Sequence, residues 1–159
     1  MPIQITMSEE IAAAPERVFE VMTDIGNAGA WMPNLVRIER LTEGSFGAGT
    51  QWREVRKVFG KEAGEVFEVT RSEPPRLLEL YVDGTKGSSR KGFYRFRYDL
   101  APASGGTAMT VSGEIGGMGW LGELIGKLLA GTFKKALAKD LQAMKAHIER
   151  GGGVRGQER

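Results

Sequence analysis

The sequence of 159 residues contains no cysteine and only one histidine. The absence of thiols excludes disulfide bridges and thiolate catalysis, and it leaves no Cys-His nucleophile pair. The single histidine, His147, lies beside Lys145 late in the chain and is interpreted as a surface residue rather than a base. No cluster of His, Cys and Asp has the spacing of metal ligands, so we expect neither a metal nor a cofactor.

Long apolar runs and a strong charge of one sign are also missing. Lys and Arg total 22 against 20 Asp and Glu, a net charge of +2 that gives no argument for a nucleic-acid partner. No apolar segment approaches the length of a membrane span, and the first ten residues lack the apolar core of a signal peptide. We therefore expect a soluble, cytoplasmic protein with one domain over 1–150 and a disordered, Gly-rich tail over 151–159.

The order of secondary structure can be predicted from periodicity. An alternating strand opens the chain, and Pro15 then begins a helix, because proline suits the first helical turn. A second short helix is predicted over 27–32, where Pro33 ends it. Six further strands are predicted over 35–42, 49–59, 62–72, 77–83, 92–100 and 107–115. Short consecutive strands with Gly-rich and Pro-rich turns indicate an antiparallel meander.

Gly60 and Lys61 fit a two-residue hairpin turn between the third and fourth strands. That register places Trp52, Glu54 and Arg56 on one face of the hairpin. Glu65, Phe67 and Val69 of the partner strand share this face, with Arg56 opposite Glu65. Charged side chains facing an apolar core are costly unless they are paired.

The last long element, from Gly119 to Arg150, is predicted to be helical, with two apolar stripes that do not line up. The first stripe includes Leu124 and Leu128, and the second includes Phe133 and Leu137. The apolar face rotates near Gly131, so either one helix bends there or two helices meet. We expect the first stripe to cover the sheet. The alternative is a mobile entrance element that opens to admit ligand or that touches a membrane surface.

This order of elements, together with "APERVFEVMTD", "WMPN", "GAGTQWRE", "SEPPRLLEL" and "GGTAMTVSGE", resembles the START-like (SRPBCC) superfamily, including its polyketide cyclase/dehydrase-like members. The resemblance covers roughly 3–150. It implies an α+β helix-grip fold, in which a seven-stranded antiparallel sheet curls around a long C-terminal helix, with two short helices between strands 1 and 2. It also implies an internal cavity for apolar or amphipathic molecules. No short signature fixes a shared catalytic set.

The expected ligand is therefore a small, largely hydrophobic molecule of the lipid, isoprenoid, aromatic or polyketide type. Trp31 and Met32 are expected at the cavity mouth, although a plug in the core is an equal alternative. Glu54, Arg56 and Glu65 are expected to orient a polar group of the ligand, unless this part of the sheet simply faces solvent. The expected apolar lining consists of Trp52, Phe67, Leu80, Tyr94, Phe96, Tyr98, Met109, Val111, Leu128 and Phe133.

Two other functions stay open at this stage. One is a cyclase or dehydratase that uses Glu54 or Glu65 as an acid or base, which requires a raised carboxyl pKa. The other is a protein-interaction module with a collapsed cavity. We favour ligand binding without catalysis, and the sequence does not determine the ligand or the oligomeric state.

Overall fold

The computed structural model describes residues 2–151. The predicted tail lies outside these residues, apart from Gly151. The elements follow in the order β1 (Ile3–Ile11), α1 (Pro15–Thr23), a 3₁₀ segment (Ile25–Ala30), β2 (Leu35–Arg40), β3 (Gln51–Val58), β4 (Lys61–Glu73), β5 (Leu77–Asp83), β6 (Phe93–Ala103), β7 (Gly106–Gly116) and α2 (Gly119–Glu149). A short 3₁₀ turn, Gly84–Lys86, lies between β5 and β6.

The seven strands form one antiparallel sheet in the order β1-β7-β6-β5-β4-β3-β2. This arrangement confirms the predicted helix-grip fold and its α+β class. Each strand alternates between the two faces, so one face buries large apolar side chains beneath α1 and α2. Val69, Val82, Met109 and Val111 are completely inaccessible in this core. The second predicted helix is the 3₁₀ segment, which ends before Trp31 rather than at Met32.

The predicted register of the β3–β4 hairpin is wrong by two residues. Arg56 lies opposite Ala63 and Glu54 lies opposite Glu65, and the turn consists of Phe59 and Gly60. Both turn residues have positive φ, 52° and 78°, as a type I′ turn requires. A shift of two residues leaves every side chain on its predicted face, so the predicted polar side chains still share one face.

Helix α2 is one continuous helix, but its two halves pack differently. The second half buries Leu137, Leu141, Met144 and Ile148 against the sheet and α1. The first half turns Gly126 toward β1, where an added Cβ would lie 2.5 Å from Cδ1 of Ile3. Its large apolar side chains are exposed, so the expectation that this stripe covers the sheet is wrong.

Side chains at the end of α2 fasten it to β1. The backbone N–H of Ala12, just after β1, donates to Oε2 of Glu149 at 2.9 Å. Lys145 reaches the same carboxylate at 2.7 Å, and Gln142 donates to Glu9. These contacts anchor the second half of the helix, which forms one wall of the cavity described below.

Candidate functional site

An open cavity of about 400 Å³ lies between the concave face of the sheet and the second half of α2. The segment from α1 to Met32 closes one side of it. The volume falls within the range of small-molecule sites, and most of the wall is hydrophobic. The cavity is therefore not collapsed. Its lining residues are Met22, Ile25, Ala28, Trp31, Met32, Ile38, Trp52, Glu54, Arg56, Val58, Ala63, Glu65, Phe67, Leu78, Leu80, Tyr94, Phe96, Tyr98, Phe133, Ala136, Leu137, Asp140, Leu141 and Met144.

Aromatic rings form two parts of the wall. Trp52 of β3 stacks on Phe67 of β4, with ring centroids 5.5 Å apart and an interplanar angle of 3°. Phe133 of α2 packs on Tyr94 and Phe96 of β6, at 6.3 and 6.4 Å. Alternation along each strand places these rings on the concave face, where they present flat apolar surface to the cavity.

A cluster of three charged side chains bridges the sheet and the helix, and we call it the polar cluster: Glu54, Arg56 and Asp140. The Nε atom of Arg56 donates to Oε2 of Glu54 at 2.9 Å. Its two terminal nitrogens donate to the two oxygens of Asp140 at 3.0 and 2.9 Å, a bidentate pair. Such paired geometry is specific to a guanidinium and a carboxylate, so the cluster fixes α2 over β3.

Burial changes the acid–base behaviour of the cluster and its neighbours. Desolvation raises the pKa of Glu54, although the Arg56 charge and hydrogen bonds from Arg56 and Trp52 oppose the shift. Burial also raises the pKa of Tyr98 far above its usual range, and the nearby Asp140 and Glu54 charges add to this effect. The Tyr98 phenol therefore stays protonated at neutral pH and remains able to donate a hydrogen bond inside the cavity.

Glu65 lines the cavity and also holds a neighbouring connection through one of its two carboxylate oxygens. Its Oε2 accepts hydrogen bonds from the backbone N–H and the hydroxyl of Ser89, at 2.9 and 2.8 Å. The Ser89 hydroxyl also lies 2.6 Å from the hydroxyl of Tyr94. This network ties the β5–β6 connection, 84–92, to the cavity wall.

Replacing Ser89 with alanine is expected to loosen the β5–β6 connection. The change removes the hydroxyl that joins Glu65 to Tyr94 and costs about 1 kcal/mol of local stability. Amide exchange over 86–91 should therefore become about fivefold faster. Ser8→Ala serves as the control, because its hydroxyl makes only a 3.5 Å contact to Thr110 on the surface. Unchanged exchange in Ser89→Ala would contradict the proposed anchoring.

Most of the residues predicted for the site line this cavity, including all three predicted charged residues. Trp31 and Met32 lie in its wall directly after the 3₁₀ segment, and both are half-buried. Three predicted lining residues are not part of the wall. Met109 and Val111 of β7 are completely buried in the core, and Leu128 is 79% exposed on the outer side of α2.

Sequence reasoning missed the contribution of α2 to the polar cluster. Asp140 occurs in a lysine-rich segment and is not among the predicted site residues. A signal was present, because Asp140 lies three residues after Leu137 and four before Met144, on the buried stripe. His147, expected at the surface, is half-buried, and its pKa is lowered by burial and by the Arg150 and Arg17 charges.

The fold and the cavity define a helix-grip domain of the START-like superfamily. The family model described as "Polyketide cyclase / dehydrase and lipid transport" matches residues 2–149, so the chain belongs to that family. No curated protein sequence matches the chain. No helix within residues 2–151 is long and apolar enough to cross a membrane.

Solved structures of similar fold come from bacteria and plants. The Zhui aromatase/cyclase from Streptomyces sp. R1128 is 17% identical with a TM-score of 0.78, covering 99% of both chains. A START superfamily protein from Mycobacterium smegmatis is 18% identical with a TM-score of 0.70, covering 91% of this chain and 98% of its own. The major latex-like protein 151 from Panax ginseng is 12% identical with a TM-score of 0.75, covering 92% and 97%. At these identities the similarity establishes the fold alone.

Proposed function

We propose that this protein binds a small, largely hydrophobic and uncharged molecule in the cavity, with the polar end of that molecule at the polar cluster. The observation that carries the proposal is a mostly apolar cavity of about 400 Å³ with one charged cluster in its wall. Burial of apolar surface would supply most of the affinity, at about 25 cal/mol per Å². A few polar contacts would set the orientation of the ligand.

The charges of the polar cluster favour a neutral ligand over a carboxylate. Arg56 is the one cation, and it lies between the carboxylates of Glu54 and Asp140. No positive charge is left to balance an incoming anion, and a fatty-acid head group would face like charges in a poorly solvated site. Arg56 has five N–H groups and uses three in these contacts, so two remain for a carbonyl, hydroxyl or phenol oxygen of a ligand. Tyr98 offers a further hydroxyl.

The proposal is tested by blocking the cavity with Ala63→Trp. Ala63 is half-buried in the wall on β4, so a tryptophan there occupies the space of the ligand. We expect at least a tenfold loss of affinity for the neutral probe N-phenyl-1-naphthylamine, measured by fluorescence, with a stability cost of about 1–3 kcal/mol from overpacking. Lys57→Trp is the matched control, because Lys57 lies on the opposite face of the same hairpin.

Native mass spectrometry and solvent extraction of the purified protein would then give the chemical class of a bound molecule. A long-chain alcohol should displace the probe at lower concentration than the carboxylic acid of equal length. Equal probe affinity in Ala63→Trp and the unmodified protein would overturn the proposal. Stronger displacement by the acid would overturn the preference for neutral ligands.

A second candidate function is an acid–base enzyme of the cyclase or dehydratase type. The raised pKa of Glu54, beside an arginine and a protonated tyrosine in an apolar cavity, favours it specifically. Glu54 would move a proton, and Arg56 with Tyr98 would stabilise charge on an oxygen of the substrate. Turnover of an extracted ligand that is lost in Glu54→Gln, with binding retained, would distinguish this function from binding alone.

A further inference from the structure

The most exposed aromatic side chain lies in a tight turn, at a position whose backbone conformation disfavours a bulky residue. Phe59, in the turn between β3 and β4, is 99% exposed and has a φ of 52°. A type I′ turn favours Asn-Gly, because asparagine tolerates positive φ far better than a bulky residue does. Phe59 therefore adds local strain and buries nothing within the chain. Such a departure from local preference indicates a role outside folding.

Three connections of the sheet meet at the end of the molecule that carries Phe59. The β5–β6 connection contacts the beginning of β4, where Ser88 N–H donates to the Gly64 carbonyl at 2.7 Å and Gly64 N–H to the Ser88 hydroxyl at 2.9 Å. The same connection contacts the end of β7, because a Cβ on Gly117 would lie 3.2 Å from Cα of Gly92. Helix α2 begins two residues later. We call this surface the loop end: 57–61, 84–92 and 117–121.

Helix α2 carries apolar side chains away from the loop end along its outer side. Six large apolar residues, of which the first is Trp120, recur at helical spacing over 120–129. Trp120 is 79% exposed. At about 100° per residue these six residues cover half of the helix circumference, opposite Gly126, which packs on Ile3. These exposed residues are Trp120, Leu121, Leu124, Ile125, Leu128 and Leu129. A contiguous apolar surface of this kind marks a binding partner.

The loop end is positively charged. Its exposed cations are Lys57, Lys61, Lys86, Arg90 and Lys91. Two carboxylates border these cations: Glu62 pairs with Arg37 at 3.3 Å, and Asp83 accepts hydrogen bonds from Thr85 and offsets part of the Lys86 charge. Exposed aromatic rings surrounded by cations are typical of surfaces that enter the interface of an anionic membrane.

We propose that the loop end docks onto an anionic lipid surface, with Phe59 and Trp120 entering the interfacial layer and the cations contacting lipid phosphates. The charge decides between a membrane and a second copy of the chain, because a symmetric dimer would bring two sets of five cations together. The hairpin that carries Phe59 also contributes Val58 and Ala63 to the cavity wall. Docking would therefore place a cavity wall at the membrane surface.

The proposal is tested by flotation of the full chain with vesicles of phosphatidylcholine alone or with about 30% phosphatidylglycerol. The full chain should float with the anionic vesicles and not with neutral ones. Phe59→Asn should lower vesicle affinity about tenfold, since an aromatic side chain leaves the interface. The same change should not lower thermal stability, because asparagine suits the turn better. Leu41→Asn, at an exposed apolar residue in the β2–β3 connection at the opposite end of the sheet, should leave affinity unchanged.

A second pair of variants tests the charge. Lys57→Gln with Lys61→Gln should lower affinity for anionic vesicles about fivefold per lysine, and Lys139→Gln, in the second half of α2, should not. Absence of binding to anionic vesicles would overturn the proposal, as would equal affinity of Phe59→Asn and the unmodified chain. A dimer in light scattering that Phe59→Asn dissociates, without vesicle binding, would assign the surface to a second copy instead.

Discussion

Replacing Arg56 with alanine is expected to lower the free energy of unfolding by about 3 kcal/mol at neutral pH, the largest electrostatic effect available in this cavity. The change leaves the Glu54 and Asp140 carboxylates facing each other in a poorly solvated wall with no cation between them. The Arg56 side chain retains 24% of its exposure, so the effect should lie at the lower end of the range for buried pairs. For a chain of this size, the melting temperature should fall by roughly 6–12 °C.

The loss in Arg56→Ala should depend on pH in a defined direction. Burial already raises the pKa of Glu54 above its ordinary 4.5, and removal of the guanidinium raises it further. A carboxyl whose folded pKa is raised contributes full stability below its unfolded pKa and loses that contribution as pH rises through the folded pKa. The variant should therefore approach the unmodified protein near pH 4 and fall away from it toward pH 7, as followed by thermal unfolding across that range.

Arg97 provides a matched control on the outer face of the same sheet. It also lies between two carboxylates, Glu79 at 3.3 Å and Asp99 at 2.9 Å, but 42% of its side chain is exposed. Arg97→Ala should cost less than about 1 kcal/mol, as surface ion pairs do. Equal losses in the two variants would mean that the polar cluster is as well solvated as the surface, as expected if that part of the sheet faces open solvent.

A variant without charges in the polar cluster shows whether the stability lost in Arg56→Ala comes from uncompensated buried charge or from lost packing. Glu54→Gln, Arg56→Met and Asp140→Asn combined remove all three charges while keeping similar side-chain volumes. This triple variant should recover most of the stability that Arg56→Ala loses, because no carboxylate remains uncompensated. Failure to recover would assign the loss to packing between β3 and α2.

The fold could be predicted from the sequence because its signals are local. Alternation in β6 and β7 and the turn residues between strands determine which side chains face the helix, and the family resemblance supplies the topology. The hairpin register was missed because an exposed phenylalanine at positive φ violates the turn preference on which the prediction relied. The error of two residues did not change which side chains were predicted to face the cavity, because side chains alternate between the two faces of a strand with a period of two.

The parts of the site that could not be predicted depend on how α2 lies on the sheet. Periodicity gives two apolar stripes but not which one is buried, so Leu128 was placed in the cavity when it lies outside. Gly126 was the informative residue, because a glycine on one side of a helix permits close approach to a strand. Asp140 was missed because its contact with Arg56 also depends on how α2 lies on the sheet. The two residues are 84 positions apart along the chain, so no local pattern links them.

Replacing Trp52 with alanine is expected to cost about 4 kcal/mol, the largest packing effect at the cavity wall. Trp52 is only 4% exposed, stacks on Phe67 and lies 6.1 Å from Phe46 in a tilted arrangement. Its indole N–H also donates to Oε1 of Glu54 at 3.4 Å. Trp120→Ala, at a side chain that is 79% exposed, should change the free energy of unfolding by less than about 0.5 kcal/mol, with both variants compared by urea titration.

The contributions of ring stacking and of the indole hydrogen bond to the effect of Trp52 can be measured separately. Trp52→Phe keeps an aromatic ring against Phe67 but removes the donor to Glu54, and it should retain more than half of the stability lost in Trp52→Ala. A loss in Trp52→Phe as large as in Trp52→Ala would assign the main contribution of this residue to the hydrogen bond with Glu54 rather than to stacking.

Added indole provides the decisive measurement on Trp52→Ala, because the deletion leaves a space of matching shape beside the cavity. A ligand that binds only the folded state raises stability by RT ln(1 + [L]/Kd), so about 1 mM indole should raise the melting temperature of the variant if its dissociation constant is lower than that. The unmodified protein should respond less, since Trp52 already fills the space. A rise in the variant alone means that the wall stays in place around the vacancy and that the cavity is supported by the rest of the sheet and α2. No rise in either protein would mean that neither holds a site for indole with a dissociation constant below about 1 mM, the result expected if the wall collapses inward around the vacancy.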